Sequence, residues 1–223
     1  MTRRATGVVF DKDGTLLDFA ATWDPAIARA IEILADGDIT AGIRIAEGLG
    51  YDLAGRVTPP GAKLFAASNA AVAAMVPDGL GGDRLPGLLA ELVLETVTAA
   101  AGADALLGRL GELGVPAGVA TNDDAASAVA QVERLAWTDH FVCVLGYDSG
   151  HGVKPAPGMV IEACRRMGVA PSDALMVGDS PADIAAGRAA GATTIYVGPD
   201  PVRGEGADHL LGTLDELVAL VGG

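Results

Sequence analysis

The strongest constraint on the fold is the stretch from Thr6 to Leu17, where two carboxylates follow a short apolar segment. Gly7-Val-Val-Phe10 is apolar and β-branched, which is typical of a buried strand in a parallel sheet. Asp11 and Asp13 come directly after it, at the edge where open α/β sheets place their ligands. Two acids there repel each other unless a cation lies between them, so the stretch predicts a metal-assisted catalytic pair. A simple turn is the alternative, because Asp and Gly favour turns.

The second half of the chain alternates between helical and strand-like segments from Asp104 onward. Short apolar runs separated by helical patterns indicate βαβ units and a parallel sheet. The predicted strands after the first are Pro116–Ala120, Phe141–Leu145, Ala174–Val177, Thr193–Val197 and His209–Leu211. The pattern predicts an α/β fold with a Rossmann-like parallel sheet.

The segment between about Ala20 and Glu95 carries helical patterns and no strand signal. Helices are predicted from Asp24-Pro25, over Ile39–Leu49, from Thr58 to Met75 and over Pro86–Ala101. The block is therefore predicted to be an all-helical insertion. The expected domains are residues 1–18 with 97–223 as the catalytic core, and residues 19–96 as the helical insertion.

Charge and hydropathy limit the classes of partner. The formal net charge of −14 opposes nucleic-acid binding, which depends on Lys and Arg against phosphate. The sequence shows no signal peptide and no apolar run long enough to span a bilayer, so we expect a cytoplasmic protein without membrane contact.

Cys143 and Cys164 lie in apolar runs and are interpreted as reduced core residues. The oligomeric state is left open.

Polar side chains follow four of the predicted strands. They are Asp11 and Asp13 after the first, Thr121 and Asn122 after the second, Lys154 beyond the third, and Asp179 and Asp183 after the fourth. Because the ends of parallel strands are neighbours, these groups are expected to lie together. Carboxylates for a nucleophile and for acid-base work, with an amine and a hydroxyl for phosphate oxygens, are what phosphoryl transfer with Mg²⁺ needs.

Each later group also has a structural explanation. Ser180-Pro-Ala-Asp183 is a good capping box for a helix, although that does not explain Asp179. Thr121 and Asn122 could be ordinary loop residues, and a lysine before a proline is usually solvated. All of these explanations would have to hold together at four strand ends, in this order.

Asp11-Lys-Asp13-Gly-Thr-Leu, Thr121-Asn122, Lys154-Pro155 and Gly178-Asp179-Ser-Pro-Ala-Asp183 resemble the motifs of the haloacid dehalogenase superfamily of phosphatases. Within it, the chain looks like the phosphoglycolate-phosphatase-like group. The resemblance covers nearly the whole chain. It implies a Rossmann-like core, a helical cap inserted after the first motif that selects the substrate, and hydrolysis of a small-molecule phosphate monoester.

The resemblance also implies roles by position. Asp11 would be the nucleophile that forms a phosphoaspartate, and Asp13 would protonate the leaving oxygen and then activate water. Thr121 and Asn122 would bind the phosphoryl group, and Lys154 would neutralise both Asp11 and the phosphate.

The implied Mg²⁺ would be held by Asp11, by the backbone carbonyl of Asp13, and by Asp179, with Asp183 nearby directly or through water. An acid at position 13 favours phosphate-ester hydrolysis over dehalogenation. Lys12 departs from the commoner apolar residue between the two acids, and we expect it to point away from the nucleophile.

Two other functions remain as alternatives. A signalling receiver domain also surrounds a phosphorylated Asp with acids, a Thr and a Lys-Pro, but it phosphorylates the acid after its third strand and has no helical insertion. The second alternative is a binding protein that has the same fold but no catalytic activity. Every expected catalytic position is filled, which argues against it. The sequence does not choose between phosphoglycolate, sugar phosphates and nucleoside monophosphates as the substrate. The residues of the cap that could contact the substrate are Arg44, Arg56, Lys63 and Arg84, and each is only a weak candidate.

Overall fold

The computed structural model describes residues 6–59, 62, 64 and 69–222 of the chain. These residues form two compact units. The first unit combines the described residues of Met1–Asp18 and Ala99–Gly223, and the second is formed by those of Phe19–Thr98. The fold is α/β, with a Rossmann-like core and an inserted all-helical unit.

The core is built on a six-stranded sheet in the order β3-β2-β1-β4-β5-β6, and each neighbouring pair is parallel. The strands are β1 Gly7–Phe10, β2 Ala117–Ala120, β3 Phe141–Leu145, β4 Ala174–Gly178, β5 Thr193–Val197 and β6 His209–Leu211. Sequence order reverses between β1 and β4, and this switch point is where doubly wound sheets form their ligand crevice. The carboxyl end of β1 therefore lies at the expected place for a site.

Helices cover the sheet because parallel strands are connected by crossovers. The helices of the core are α5 Ala103–Leu113, α6 Ala125–Arg134, α7 Gly158–Met167, α8 Pro181–Ala190 and α9 Asp215–Gly222. One buried cluster joins Val9 of β1 and Met176 of β4 to Met159 and Val160 of α7. All four residues of β1 are buried, as its apolar sequence predicts.

The helical unit contains α1 Phe19–Ala35, α2 Ile39–Leu49, α3 Asn69–Met75 and α4 Leu85–Thr96. Its own core includes Ile27 and Ile31 of α1, Ile45 of α2 and Leu85 of α4. The apolar residues of α1 recur at helical spacing, and this periodicity gives the buried face of the bundle.

Two helices in this unit, the first and the fourth, have boundaries that differ from those that the sequence predicts. The first helix begins at Phe19 and contains Pro25, so Asp24 is not its N-cap. The Asp24 carboxylate instead accepts a hydrogen bond from the backbone N–H of Thr58 at 2.8 Å, a tertiary contact that local pattern could not reveal. The fourth helix ends at Thr96 rather than Ala101, and much of the predicted Thr58–Met75 helix lies outside the described residues.

Both cysteines, Cys143 and Cys164, are buried free thiols, which confirms their interpretation as core residues. Among the helices that the structure describes, none combines the length and the apolar character needed to cross a membrane.

Candidate active site

The loop after β1 is held against the end of β4. The backbone N–H of Asp11 donates to the carbonyl oxygen of Val177 at 2.8 Å. Gly14 has a φ of +84°, and a Cβ on it would lie 2.8 Å from the carboxyl carbon of Asp179. A glycine is therefore required at position 14 both by the backbone conformation and by the close approach of the Asp179 carboxylate.

The other side of the site is the N-terminus of α8, which begins with the predicted capping box. Ser180 is the N-cap, and the Asp183 Oδ2 atom accepts from its backbone N–H at 3.0 Å and its hydroxyl at 2.6 Å. A Cβ on Gly178 would lie 2.3 Å from the Cβ of Asp183, so only glycine lets the strand end pass this side chain. These capping hydrogen bonds at the N-terminus of α8 orient the Asp183 carboxylate through its Oδ2 atom, and the Oδ1 atom is left to contact a different residue.

That residue is Lys154, which joins two of the predicted acids. Its ammonium lies 2.6 Å from the Oδ1 atom of Asp183 and is also in direct hydrogen-bond contact with the carboxylate of Asp11. One oxygen from each of Asp11, Asp179 and Asp183 lies within 4.8 Å of the other two. The structure thus brings together these three carboxylates and Lys154, from three separate segments of the chain.

The electrostatics of this group are those of a crowded anionic pocket. Burial is the main cause that raises the pKa of Asp11 above its ordinary value, with Lys154 opposing the shift and Asp183 adding to it. Burial and the neighbouring Asp183 likewise raise the pKa of Asp179. Burial alone would lower the pKa of Lys154, but Asp11 and Asp183 raise it, so the amine stays charged. The buried ammonium of Lys154 and the half-exposed guanidinium of Arg203 do not balance three carboxylates, and the remaining negative charge favours a further cation.

Thr121 and Asn122 follow β2 as predicted, and Asn122 is tied to the lysine loop. Its amide nitrogen donates to the carbonyl oxygen of Lys154 at 3.1 Å, and its amide oxygen accepts from the Lys154 backbone N–H at 2.9 Å. The side chain thereby fixes the backbone that carries the Lys154 ammonium. The Thr121 hydroxyl is buried and accepts from the backbone N–H of Asp123 at 3.1 Å. Phosphoryl binding by these two residues stays a prediction.

Asp13 lies in a second cluster that the sequence did not reveal. Its carboxylate is 2.6 Å from the ammonium of Lys12, which is also 3.1 Å from Asp123 and 2.6 Å from the amide oxygen of Gln131. Lys12 itself is only 1% exposed. A lysine beside a strand end gives no sign of such partners, because Gln131 lies on α6 and its position depends on how that helix packs.

Arg203 is the other contact that sequence reasoning missed. Its guanidinium lies 3.3 Å from the Asp179 carboxylate and about half of its side chain is exposed. It belongs to the loop after β5, and no strand-end motif marks that loop in the sequence.

The carboxylates of Asp11, Asp179 and Asp183 fit a hard divalent cation. Mg²⁺ takes oxygen ligands and is usually held by one or two carboxylates together with water and substrate phosphate. The carboxylate oxygens stand close enough to share one ion, and their excess negative charge lacks a full counter-charge from the protein.

Comparison with known proteins identifies the family of the chain. A family model of the haloacid dehalogenase-like hydrolases matches residues 5–191. A phosphoglycolate phosphatase of Rhodospirillum rubrum is 32% identical over 223 residues, which covers 96% of this chain and 88% of the relative.

Solved structures share the fold. A phosphatase of the haloacid dehalogenase type from Thermococcus onnurineus superimposes with a TM-score of 0.73 at 24% identity, over 98% of both chains. The CbbY protein of Rhodobacter sphaeroides, crystallised with phosphate, gives a TM-score of 0.71 at 21% identity, over 98% of this chain and 99% of the other. At these identities the likeness supports the fold alone.

Proposed function

The chain belongs to the haloacid dehalogenase-like hydrolase family and is a hydrolase of phosphate monoesters, and from this premise we propose that it works through a phosphoaspartate on Asp11 with Mg²⁺. The observation that carries the proposal is the group formed by the buried Asp11, Asp183 and Lys154 with the half-buried Asp179 at the switch point of the sheet. A carboxylate nucleophile beside an ammonium and two further acids matches the needs of phosphoryl transfer better than those of a turn or a helix cap.

In the first step, an Asp11 carboxylate oxygen attacks phosphorus. A bond forms between that oxygen and phosphorus while the bond from phosphorus to the ester oxygen breaks. The ester oxygen leaves as an alcohol because the carboxyl group of Asp13 gives it a proton. The product of this step is a phosphorylated Asp11 and an ionised Asp13.

In the second step, water attacks the same phosphorus atom. Asp13 accepts a proton from the water, and the bond between phosphorus and the Asp11 oxygen breaks. Inorganic phosphate leaves, while Asp11 returns as a carboxylate and Asp13 as a carboxylic acid. No oxidant, reductant or further co-reactant is needed, so the cycle closes.

Lys154 and the loop after β2 would hold the phosphoryl group. The Lys154 ammonium already contacts Asp11, so it is placed to offset charge on the nucleophile and on the incoming phosphate. Thr121 could donate its hydroxyl proton to a phosphoryl oxygen. Asn122 would fix the backbone of Lys154, because its amide nitrogen and its amide oxygen both form hydrogen bonds with that backbone.

Mg²⁺ would be held by the carboxylates of Asp11 and Asp179, by the backbone carbonyl of Asp13, and by Asp183 directly or through water. When bound, the ion supplies positive charge that lowers the repulsion between the nucleophile and the substrate phosphate. The fit rests on the shared spacing of the acids and on their unbalanced charge.

The substrate is proposed to be a small phosphate monoester of the kind that the relatives' name indicates, phosphoglycolate first among them. The helical unit is proposed to select it, with Arg44, Arg56 and Arg84 as candidate contacts for a second anionic group. Replacing each arginine by Gln should raise KM for phosphoglycolate more than for an uncharged ester if it makes such a contact.

The test of the proposal is phosphate release from a panel of small monoesters, with Mg²⁺ and with EDTA, for the wild type and Asp11→Asn. Uncatalysed monoester hydrolysis is so slow, with accelerations of up to roughly 10²¹-fold, that the background will not interfere. We expect metal-dependent release that the variant loses. Equal release by the variant, or full activity in EDTA, would contradict the mechanism.

A further inference from the structure

The ammonium of Lys12 has a complete set of partners within the core unit. An ammonium carries three N–H donors, and three acceptors lie around it: Asp13 at 2.6 Å, Gln131 at 2.6 Å and Asp123 at 3.1 Å. The Lys12 side chain is 2% exposed, whereas that of Asp13 is 20% exposed. A buried, fixed charge therefore lies under a carboxylate that solvent can still reach.

The amide of Gln131 is oriented by partners of its own. Its Nε2 atom donates to the hydroxyl of Ser127 at 2.9 Å and faces the carboxylate of Asp123 at 3.4 Å. The oxygen of the amide must then face Lys12, since a flipped amide would set N–H groups against an ammonium. Ser127 and Gln131 are four residues apart on one face of α6, so the helix itself anchors the cluster.

We infer that Lys12, fixed by Gln131 and Asp123, is a positioning residue that holds the carboxyl group of Asp13 in place for proton transfer to the leaving oxygen. This inference rests on the proposed function, in which Asp13 is the acid and base. A carboxyl group on a partly exposed turn has several rotamers, whereas an acid catalyst must stay within a fraction of an ångström of its proton acceptor. The ammonium beneath Asp13 restricts that freedom.

Leaving groups separate this role from a merely structural one. An alkyl phosphate releases a strongly basic alkoxide and needs a proton from Asp13, whereas p-nitrophenyl phosphate releases a stable phenolate and needs it much less. The ratio of kcat/KM for the alkyl ester to kcat/KM for the aryl ester thus reports how well the acid is placed. General damage to the fold would lower both values together.

The experiment compares Lys12→Met, Gln131→Leu and, as a surface control, Arg109→Met. Misplaced catalytic groups cost about 10²-fold, so the alkyl-to-aryl ratio should fall by about 10-fold to 100-fold in Lys12→Met. Gln131 contacts the ammonium of Lys12, and its loss should lower the ratio in the same direction by about 3-fold to 10-fold. Arg109 is an exposed residue paired with Glu112 on α5, and its variant should keep the wild-type ratio.

An unchanged ratio in Gln131→Leu and Lys12→Met, or an equal loss for both esters, would overturn the inference. If Lys12→Met does not fold, Gln131→Leu decides alone. A wild type that cleaves only the aryl ester would also overturn it, because that enzyme would have no need of a placed acid. A wild type that releases phosphate from no ester would instead contradict the proposed function, and the inference with it.

Discussion

Two buried lysines, Lys12 and Lys154, invite comparison, because each contacts two carboxylates and yet the two clusters differ in the burial and arrangement of their acids. Lys154 lies between the carboxylates of Asp11 and Asp183, whose side chains are 10% and 1% exposed, and a third acid, Asp179, lies close by with Arg203. Lys12 has its three donors matched by two carboxylates and a neutral amide. In the proposed mechanism the first cluster would receive a cation and an anionic substrate, whereas the second would hold the carboxyl group of Asp13 in place.

The largest effect should come from removing the two acids of the β1 loop, one from each cluster. Asp11→Asn should lower turnover of every ester by about 10⁴-fold or more, because no nucleophile remains. Asp13→Asn should lower it by about 10²-fold to 10⁴-fold, the range of acid-base catalysis, and should spare the aryl ester most. Steady-state kinetics on both esters measures this.

Asp139→Asn is the matched control for these variants, because it removes an exposed acid from the same unit. Its kinetics should equal those of the wild type. If Asp11→Asn lost no more activity than Asp13→Asn on the aryl ester, the division of roles between the two clusters would be wrong.

Removing each lysine should reveal the difference in burial. Lys154→Met leaves Asp11 and Asp183 buried without their ammonium, with side chains 10% and 1% exposed, and should lower the free energy of unfolding by about 3–5 kcal/mol. Lys12→Met leaves Asp13 and Asp123 at 20% and 17% exposure, so the loss should be about 1–3 kcal/mol.

Denaturant unfolding in EDTA compares the two lysine variants without a metal ion to compensate. If the two variants lost the same free energy of unfolding, the difference in solvent exposure between the two clusters would have no effect on stability.

Mg²⁺ should distinguish the clusters by binding to only one of them. At a concentration of about 100 times Kd, the ion should raise the free energy of unfolding of the wild type by about 2.7 kcal/mol. Asp179→Ala removes a carboxylate of the first cluster and should abolish most of that gain, whereas Asp123→Ala alters the second cluster and should preserve it. Thermal unfolding with and without Mg²⁺ gives the difference for each variant, and a preserved gain in Asp179→Ala would contradict its assignment.

A loss of stability no larger than that of Lys12→Met should come from a single methyl group at the end of β4. Gly178→Ala would place a Cβ 2.3 Å from that of Asp183, and this overpacking should cost about 1–3 kcal/mol and disturb the first cluster. Gly111→Ala on α5 is the control, since a Cβ there would meet no described atom within 4 Å beyond its chain neighbours and its own helix backbone, and it should stabilise the helix by up to about 1 kcal/mol. If Gly178→Ala kept both stability and kcat, the close approach of Asp183 would be of no consequence.

The first cluster could be predicted from sequence because strand ends converge. Asp11 and Asp179 each follow an apolar strand directly, and parallel pairing of β1 with β4 brings them together whatever the details of packing. Ser180 and Asp183 carry a local capping signal, and the structure has that capping box. The parallel character of the sheet follows from the same alternation of strands and helices.

The second cluster could not be predicted because it depends on side-chain packing across the fold. Lys12 and Gln131 are 119 residues apart, and their contact at 2.6 Å needs α6 to present one particular face to the β1 loop. Alternation along a strand suggested that Lys12 would point away from the nucleophile, but nothing in that pattern identifies what it meets there. Asp24 of α1 gives a similar lesson, because its tertiary contact with Thr58 overrides the helix start that Asp24-Pro25 suggests.

The most direct test of the central claim is to look for the phosphorylated residue itself. Wild type mixed with an accepted ester and quenched in acid within the first turnover can be digested and mapped by mass spectrometry. The account predicts one phosphoryl group on the peptide that contains Asp11, and none on that peptide in Asp11→Asn. A phosphoryl group on a different residue of the wild type, or catalytic turnover by Asp11→Asn, would contradict it.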